Sequence, residues 1–182
     1  LKTTTLRLKN RYFGHPQMNT QLHKLSNGEV VVIDDLLPLE QQIRLYIEAC
    51  NLPYHLVGGN RLDIQDRKPN KPLAYIDQHW IDEFFPVDLL SDYVSDKIFQ
   101  GYINCGIHSE NPDVHVDSSD KGDKTLLYYM NREWKHEWGG ETILLSDDVK
   151  EIEYITPYRP GRIIIFDSTI PHAARQQSFA AP

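Results

Sequence analysis

Two histidines and one aspartate stand at positions that favour a metal site. His115 and Asp117 are separated by one residue, at the end of a segment with the pattern of a β-strand. Side chains two residues apart in an extended chain point to the same face, roughly 7 Å apart along the strand. An imidazole and a carboxylate placed in this way can converge on one ion. His172 is the best candidate for a third ligand, because it follows the apolar run of residues 163–166 and comes directly after Pro171.

This set of ligands is the one that non-haem Fe(II) oxygenases use. Two imidazoles and one carboxylate on one side of a metal leave the remaining coordination positions open, and Co²⁺, Ni²⁺ and Zn²⁺ bind such a set as well. A His-x-Asp pair by itself is more often a surface ion pair or a hydrogen-bonded turn, so the assignment depends on the surrounding sequence. The other histidines have no comparable partners and are predicted to be surface or structural residues: His15, His23, His55, His79, His108 and His136.

The composition narrows the class of protein. The chain has 182 residues, enough for one domain with a real core, and a net charge of −7. A negative charge opposes nucleic-acid binding, which usually requires a basic surface, so no nucleic-acid partner is expected. No apolar stretch has the length of a membrane span, and no membrane partner is expected. Cys50 and Cys105 indicate neither a disulfide framework nor a zinc site, which favours a reducing, cytoplasmic compartment.

The apolar pattern predicts helices in the first half and strands in the second. Residues 29–33 predict a buried strand, and the acidic, proline-containing segment 34–38 predicts a helix start. The buried face of that helix is predicted to contain Leu39, Ile43, Tyr46, Ile47 and Cys50. A second helix is predicted over about residues 87–97, after a long loop over residues 58–72. Further strands are predicted over residues 98–107, 124–131, 141–145 and 162–166. This order predicts an α+β domain with a sandwich or barrel of antiparallel strands.

The motifs around the three candidate ligands resemble those of a known family. Over about residues 98–175 the sequence is similar in order and spacing to the prolyl-4-hydroxylase-like branch of the 2-oxoglutarate/Fe(II) oxygenases. The matching motifs are His115-Val116-Asp117, the segment 125–131, Trp134, Gly139-Gly140-Glu141, Pro160-Gly161-Arg162, Phe166-Asp167 and His172. The N-terminal half resembles the family only in its strand-then-helix opening.

The resemblance implies a fold and an activity. The expected fold is a double-stranded β-helix, or jelly roll, with N-terminal supporting helices, in a single domain over residues 1–182. Residues 1–97 would supply an arm, a strand and helices, and residues 98–182 the jelly-roll core. The expected activity is that of a dioxygenase with Fe(II) held by His115, Asp117 and His172. Its co-substrates would be 2-oxoglutarate and O₂, with ascorbate as an expected stimulant. Halogenating relatives carry a small residue in place of Asp117, so hydroxylation, or a related desaturation or cyclisation, is expected.

Three residues are candidates for binding the co-substrate. By resemblance, Tyr129 matches a tyrosine whose hydroxyl binds the distal carboxylate of 2-oxoglutarate, although a core aromatic remains the alternative. Tyr102 and Asn104 alternate on one face of the preceding strand, where polar side chains inside a barrel would suit a pocket.

A basic residue expected from the resemblance is not found. The family places an Arg or Lys on the strand after the distal histidine, where it pairs with the co-substrate carboxylate. Position 181 is alanine, and Arg175 is the only basic residue after His172. We therefore expect the protein to continue past Pro182 with a strand that carries this residue, and Arg175 is the candidate otherwise.

One pair of glycines, one arginine and two tryptophans near the candidate ligands lead to further expectations. Gly139 and Gly140 would let a turn pass close to the metal-bearing sheet, although an ordinary hairpin turn is equally compatible. Arg162 is expected at the surface, Trp134 in the core, and Trp138 at the mouth of the barrel.

The sequence leaves the substrate open. The acidic charge and the short chain favour a small molecule or a free amino acid, and peptidyl proline is an alternative. A cupin-like metal- or ligand-binding jelly roll without oxygenase activity would share the barrel and the triad. A nucleic-acid demethylase is disfavoured, because the arginine-rich segment expected after the distal histidine is missing. The sequence does not predict the oligomeric state.

Overall fold

A computed structural model describes residues 4–6, 18–57, 71–95, 97–106 and 113–182. Most of the predicted loop over residues 58–72 lies outside the described residues. Within them, no helix is long and apolar enough to cross a membrane. In chain order the strands and helices are β1 (Thr4–Leu6), β2 (Asn19–Lys24), β3 (Glu29–Asp34), α1 (Leu39–Cys50), β4 (His55–Val57), β5 (Lys71–Ile76), α2 (Gln78–Phe84), β6 (Gly101–Asn104), β7 (Lys124–Tyr128), β8 (Thr142–Leu145), β9 (Ile152–Thr156), β10 (Ile163–Asp167) and β11 (His172–Ala174).

The main sheet has the strand order β1-β2-β3-β10-β7, and the pairs within it are antiparallel. Strands β3 and β10 are apolar at almost every position, which is the pattern of strands buried on both faces. Ile163 and Ile165 pack toward the helices, whereas Ile164 and Phe166 pack toward the second sheet. The predicted strands over residues 29–33 and 162–166 are confirmed to within one residue at either end.

A second sheet, with the order β11-β8-β9, covers the inner face of the main sheet. Leu144 of β8 and Tyr154 of β9 join Val30, Ile164 and Phe166 in one apolar cluster between the two sheets. A third sheet, β4-β5-β6, is also antiparallel. The β-structure is not confined to residues 98–182, because β1 to β3 come from the N-terminal part and extend the main sheet.

The helices depart from the sequence prediction in two ways. The predicted buried face of α1 is wrong: Leu39 is 69% exposed, and Leu45 and Ala49 are buried instead. Leu36 and Leu37 are buried just before α1, and they fix the rotation with which the helix enters. The predicted helix over residues 87–97 is also wrong. Helix α2 lies earlier, where the Asp77 carboxylate caps it by accepting the backbone N–H of Trp80, and only one 3₁₀ turn (Val87–Leu90) follows.

Several strands carry little signal in the sequence. Strand β2 is mostly polar, and β5 contains Pro72, a residue that usually argues against a central strand. Pro72 has no N–H to donate, but its carbonyl still accepts the backbone N–H of Cys105. Strand β11 is three residues long, and β4, β9 and β11 were not predicted either.

A buried ion pair ties the end of β3 to the start of β10. The Arg162 guanidinium donates two hydrogen bonds of 2.8 Å to the two carboxylate oxygens of Asp34, and Arg159 donates a third of 2.9 Å. The side chains of Asp34 and Arg162 are only 3% and 13% exposed. The expectation that Arg162 is a surface residue is therefore wrong, because its position opposite Asp34 turns it inward.

We predict that Asp34→Ala destabilises the fold by about 3–5 kcal/mol, because it leaves the Arg162 charge buried without a partner. Urea unfolding at neutral pH measures the change. Lys24→Ala is the control, since it breaks an exposed pair with Glu29 that is worth about 0–1 kcal/mol. Equal unfolding midpoints for the two variants would contradict the assigned role of the buried pair.

Candidate metal centre

The three predicted ligands are brought together by the backbone. The His115 N–H donates to the His172 carbonyl at 3.0 Å, and the His172 N–H donates back to the His115 carbonyl at 2.9 Å. Two residues further on, the Asp117 N–H donates to the Ser168 carbonyl, also at 3.0 Å. His172 is the first residue of β11, so β11 and the segment around His115 meet at the ligands themselves.

The side chains form a compact cluster of donor atoms. One ligand atom from each of His115, Asp117 and His172 lies within 4.8 Å of the other two. The His115 Nε2 is 3.5 Å from Asp117 Oδ1, and the His172 Nε2 is 3.4 Å from Asp117 Oδ2. His172 is buried against the ring of Phe166, whereas the His115 side chain is 49% exposed. The cluster is therefore closed on the His172 side and open on the His115 side.

Both imidazoles are held in the tautomer that a metal requires. The Nδ1 of His115 lies 2.9 Å from the carbonyl of Asp113, and the Nδ1 of His172 lies 3.0 Å from the carbonyl of Ile170. A carbonyl only accepts hydrogen bonds, so each Nδ1 carries the proton and each Nε2 keeps its lone pair. Both Nε2 atoms face the aspartate, which is the arrangement of a metal-binding histidine with an outer hydrogen-bond partner.

The electrostatics favour a cation at this position. Burial lowers the pKa of His172, although the Ile170 carbonyl and the Asp117 charge partly oppose that effect. Burial by itself would raise the pKa of Asp117, but the hydrogen bond from the Thr125 hydroxyl and the two neighbouring histidines hold that pKa below its usual value. The neutral imidazole and the ionised carboxylate are the protonation states that bind a divalent cation. The residues present therefore fit an Fe(II) site of two nitrogens and one oxygen.

Two hydroxyl residues beside the cluster were missed from the sequence as parts of the site. The Thr125 hydroxyl donates to Asp117 Oδ2 at 2.7 Å, and the Ser168 hydroxyl lies 2.9 Å from the Thr125 hydroxyl. Thr125 stands in a motif that the resemblance picks out, but Ser168 lies in a turn between β10 and β11 with no signal of its own. Only the pairing of β7 with β10 places Ser168 beside the aspartate.

Tyr129 lies inside the barrel, four residues along the chain from Thr125. It is 7% exposed, its hydroxyl donates to the Thr142 hydroxyl at 2.7 Å, and its ring stacks on Tyr158. Burial raises the pKa of the Tyr129 phenol, so the hydroxyl stays protonated and remains a donor. This placement is compatible with both alternatives for Tyr129, a co-substrate ligand and a core aromatic.

The other predicted co-substrate residues are more exposed. Tyr102 and Asn104 share a face of β6, as predicted, and both are exposed. Tyr102 is 36% exposed, and the buried part of its side chain is the main cause that raises the pKa of its phenol, with the Asp117 charge as a smaller one. Arg175 is exposed, and its backbone N–H donates to the Glu141 carbonyl at 2.7 Å.

Gly139 and Gly140 allow their turn to lie close to the chain that follows β11. Gly139 and Gly140 have φ angles of +70° and +78°, and a Cβ on Gly139 would lie 2.8 Å from the Gln176 carbonyl oxygen. Gly139 also forms a β-bridge with Gln177, shortly after β11. The expectation that this turn passes close to the metal-bearing strands is confirmed. Trp134 is half-buried, and its indole N–H donates to the Gly139 carbonyl.

The comparison with protein families covers the segment that contains the candidate site. Residues 102–180 match the family model of the 2OG-Fe(II) oxygenase superfamily, and all three candidate ligands lie within this range. This segment belongs to that superfamily. The oxygenase is accordingly an enzyme, a dioxygenase that uses Fe(II), 2-oxoglutarate and O₂. This match favours an oxygenase over a cupin-like module without oxygenase activity.

Sequence and structure comparisons differ in what they find for the oxygenase. A search of the curated proteins gives no match. Among solved structures, this chain is similar to the crystal structure of a Pseudomonas putida prolyl-4-hydroxylase, with a TM-score of 0.60 and 15% sequence identity. The similarity covers 81% of this chain and 86% of that one. At this identity the likeness concerns the fold alone, and it confirms the predicted α+β jelly roll with N-terminal helices.

Metal binding should stabilise the folded oxygenase and should depend on the triad. A ligand that binds only the folded state at a hundredfold excess over its Kd adds about 2.7 kcal/mol. We predict that Co²⁺ or Fe(II) under anaerobic conditions raises the thermal midpoint of the wild type but not that of His172→Ala. His79→Ala replaces an exposed histidine outside the cluster and should respond like the wild type. A normal metal-induced shift in His172→Ala would remove His172 from the ligand set.

Proposed function

We propose that the oxygenase hydroxylates an unactivated C–H bond of a small molecule or a free amino acid. In the balanced reaction, one oxygen atom of O₂ enters the product and the other enters succinate, while 2-oxoglutarate loses CO₂. The observation that carries this proposal is the triad of His115, Asp117 and His172, which is open to solvent on one side only. The Nδ1 atoms of both histidines face backbone carbonyls, which leaves both Nε2 atoms directed at Asp117.

When bound, Fe(II) and 2-oxoglutarate supply the activation of O₂ and the oxidation of the C–H bond. The residues of the chain supply position and environment. His115, Asp117 and His172 would hold the iron, and Phe166 closes the buried side of His172 against water. Asp117 would supply a carboxylate ligand where halogenating relatives have a small residue, which favours hydroxylation over halogenation.

Tyr129 and Thr142 are proposed to bind the distal carboxylate of 2-oxoglutarate. A buried carboxylate needs hydrogen-bond donors to offset its desolvation, and these two hydroxyls lie together inside the barrel. Arg162 is not a suitable cationic partner, because Asp34 already neutralises its charge. Arg175 is the candidate among the described residues. Tyr102 and Asn104 are proposed to line the outer part of the pocket.

The Tyr129 proposal has a direct test. Tyr129→Phe keeps the ring and removes the hydroxyl, and a hydrogen bond to a charged group is worth roughly 1.5–3 kcal/mol. We predict that the KM for 2-oxoglutarate rises by about ten- to a hundredfold in this variant. Tyr128→Phe is the matched control, since Tyr128 is the preceding residue and packs in the cluster on the opposite, helix-facing side of the sheet. An unchanged KM in a folded Tyr129→Phe protein would leave Tyr129 as a core aromatic only.

Two substrate classes remain to be compared. The negative net charge of −7 and the single short domain support a small molecule or a free amino acid. The fold shared with a prolyl-4-hydroxylase supports peptidyl proline as the second candidate. A cytoplasmic location is proposed from the two cysteines, and stimulation by ascorbate from the family. The absence of a nucleic-acid partner is proposed from the net charge, and that of a membrane partner from the lack of a long apolar stretch.

Product analysis under labelled oxygen separates these substrates. The holoenzyme is incubated with 2-oxoglutarate, ¹⁸O₂ and either a metabolite library or proline-containing peptides, and the products are analysed by mass spectrometry. We expect one ¹⁸O atom in a small-molecule product and succinate in equal amount. Labelling of the peptides alone would replace the proposed substrate class with peptidyl proline. Asp117→Ala is the control for oxidation that does not depend on the site.

A further inference from the structure

We propose that Thr125 is a positioning residue that fixes the carboxylate of Asp117 before the metal binds. Its hydroxyl lies 2.7 Å from Asp117 Oδ2 and 2.9 Å from the hydroxyl of Ser168. An ionised carboxylate can only accept hydrogen bonds, so the single proton of the Thr125 hydroxyl points to Asp117. The Ser168 hydroxyl must then donate to Thr125. The order of donation is therefore fixed, from Ser168 to Thr125 to Asp117.

This chain of hydroxyls rests on the main sheet. Thr125 lies on β7 directly opposite Phe166 of β10, and Ser168 follows β10. Ser168 is buried, and its main-chain carbonyl accepts the N–H groups of both Asp117 and Ser118. The main chain of Ser168 thus contacts Asp117 directly, and its side chain acts on Asp117 through Thr125. Neither contact involves β11, the strand that begins with His172.

The consequence for the metal site concerns the rotation of the carboxylate. A hydroxyl-to-carboxylate hydrogen bond of 2.7 Å is charge-assisted and stronger than a neutral one. It holds Oδ2, while Oδ1 lies beside the exposed His115 at 3.5 Å. Without the Thr125 hydroxyl, the carboxylate could rotate about its Cβ–Cγ bond, and a metal would have to order it on binding. This inference rests on the assignment of Asp117 as a ligand.

The test compares Thr125→Val, which keeps the shape of the side chain, with Thr125→Ser, which keeps the hydroxyl. Co²⁺ is titrated into each full-length, metal-free variant, and its visible d–d absorption gives both the Kd and the ligand geometry. Loss of an outer hydrogen bond to a metal ligand typically weakens metal binding about 10- to 100-fold. We expect a loss of this size and an altered spectrum in Thr125→Val, and values close to the wild type in Thr125→Ser.

Two further variants separate the possible outcomes. Ser118→Ala removes a neighbouring hydroxyl that donates to Asp123 and should bind Co²⁺ like the wild type. Thr125→Ala provides a second protein without the hydroxyl and should reproduce the loss seen in Thr125→Val. Wild-type affinity and spectrum in Thr125→Val would overturn the proposal, as would equal losses in Thr125→Val and Thr125→Ser. Undiminished Co²⁺ binding in Asp117→Ala would instead overturn the ligand assignment on which the proposal rests.

Discussion

The metal centre depends on a single pair of backbone hydrogen bonds. His115 and His172 are far apart in the sequence, and each main-chain N–H donates to the carbonyl of the other. That reciprocal pairing sets the distance between two ligands before any side chain is considered. The contact from Asp117 to Ser168 then extends the same alignment to the third ligand. Because the positions come from the main chain, the side chains need only small rotations to meet a metal.

The two apolar layers explain why this pairing can persist. One layer lies between the main sheet and the helices, and the other lies between the main sheet and the second sheet. Strand β10 contributes to both layers, and it leads through Ser168 and Pro171 to His172. The chain that carries His172 is therefore anchored in the most buried part of the fold. His115 arrives from an exposed segment, which gives the site one rigid wall and one open side.

Features that depend on neighbouring residues can be predicted from the sequence. Long β-branched runs predict β3 and β10, and the spacing of His115 and Asp117 together with the surrounding motifs predicts the triad. Contacts between distant segments could not be predicted in this way. Leu36 and Leu37 are buried in one cluster with Leu45 of α1, a contact that the spacing within the helix does not reveal. The three residues of β11 pair with β8, which is distant in the sequence. Ser168 has no recognisable motif, so its place beside Asp117 follows only from the register of the strands.

If the triad holds Fe(II) and the same site binds 2-oxoglutarate, the two together should give a charge-transfer band in the visible absorption spectrum. The measurement is an anaerobic titration of 2-oxoglutarate into the Fe(II)-loaded protein. We expect a band that requires both components and saturates at a single 2-oxoglutarate per bound iron. The band should be missing in Asp117→Ala at the same protein and iron concentrations. A folded, iron-loaded wild type that shows no such band with 2-oxoglutarate in excess would mean that the iron and 2-oxoglutarate do not share this site.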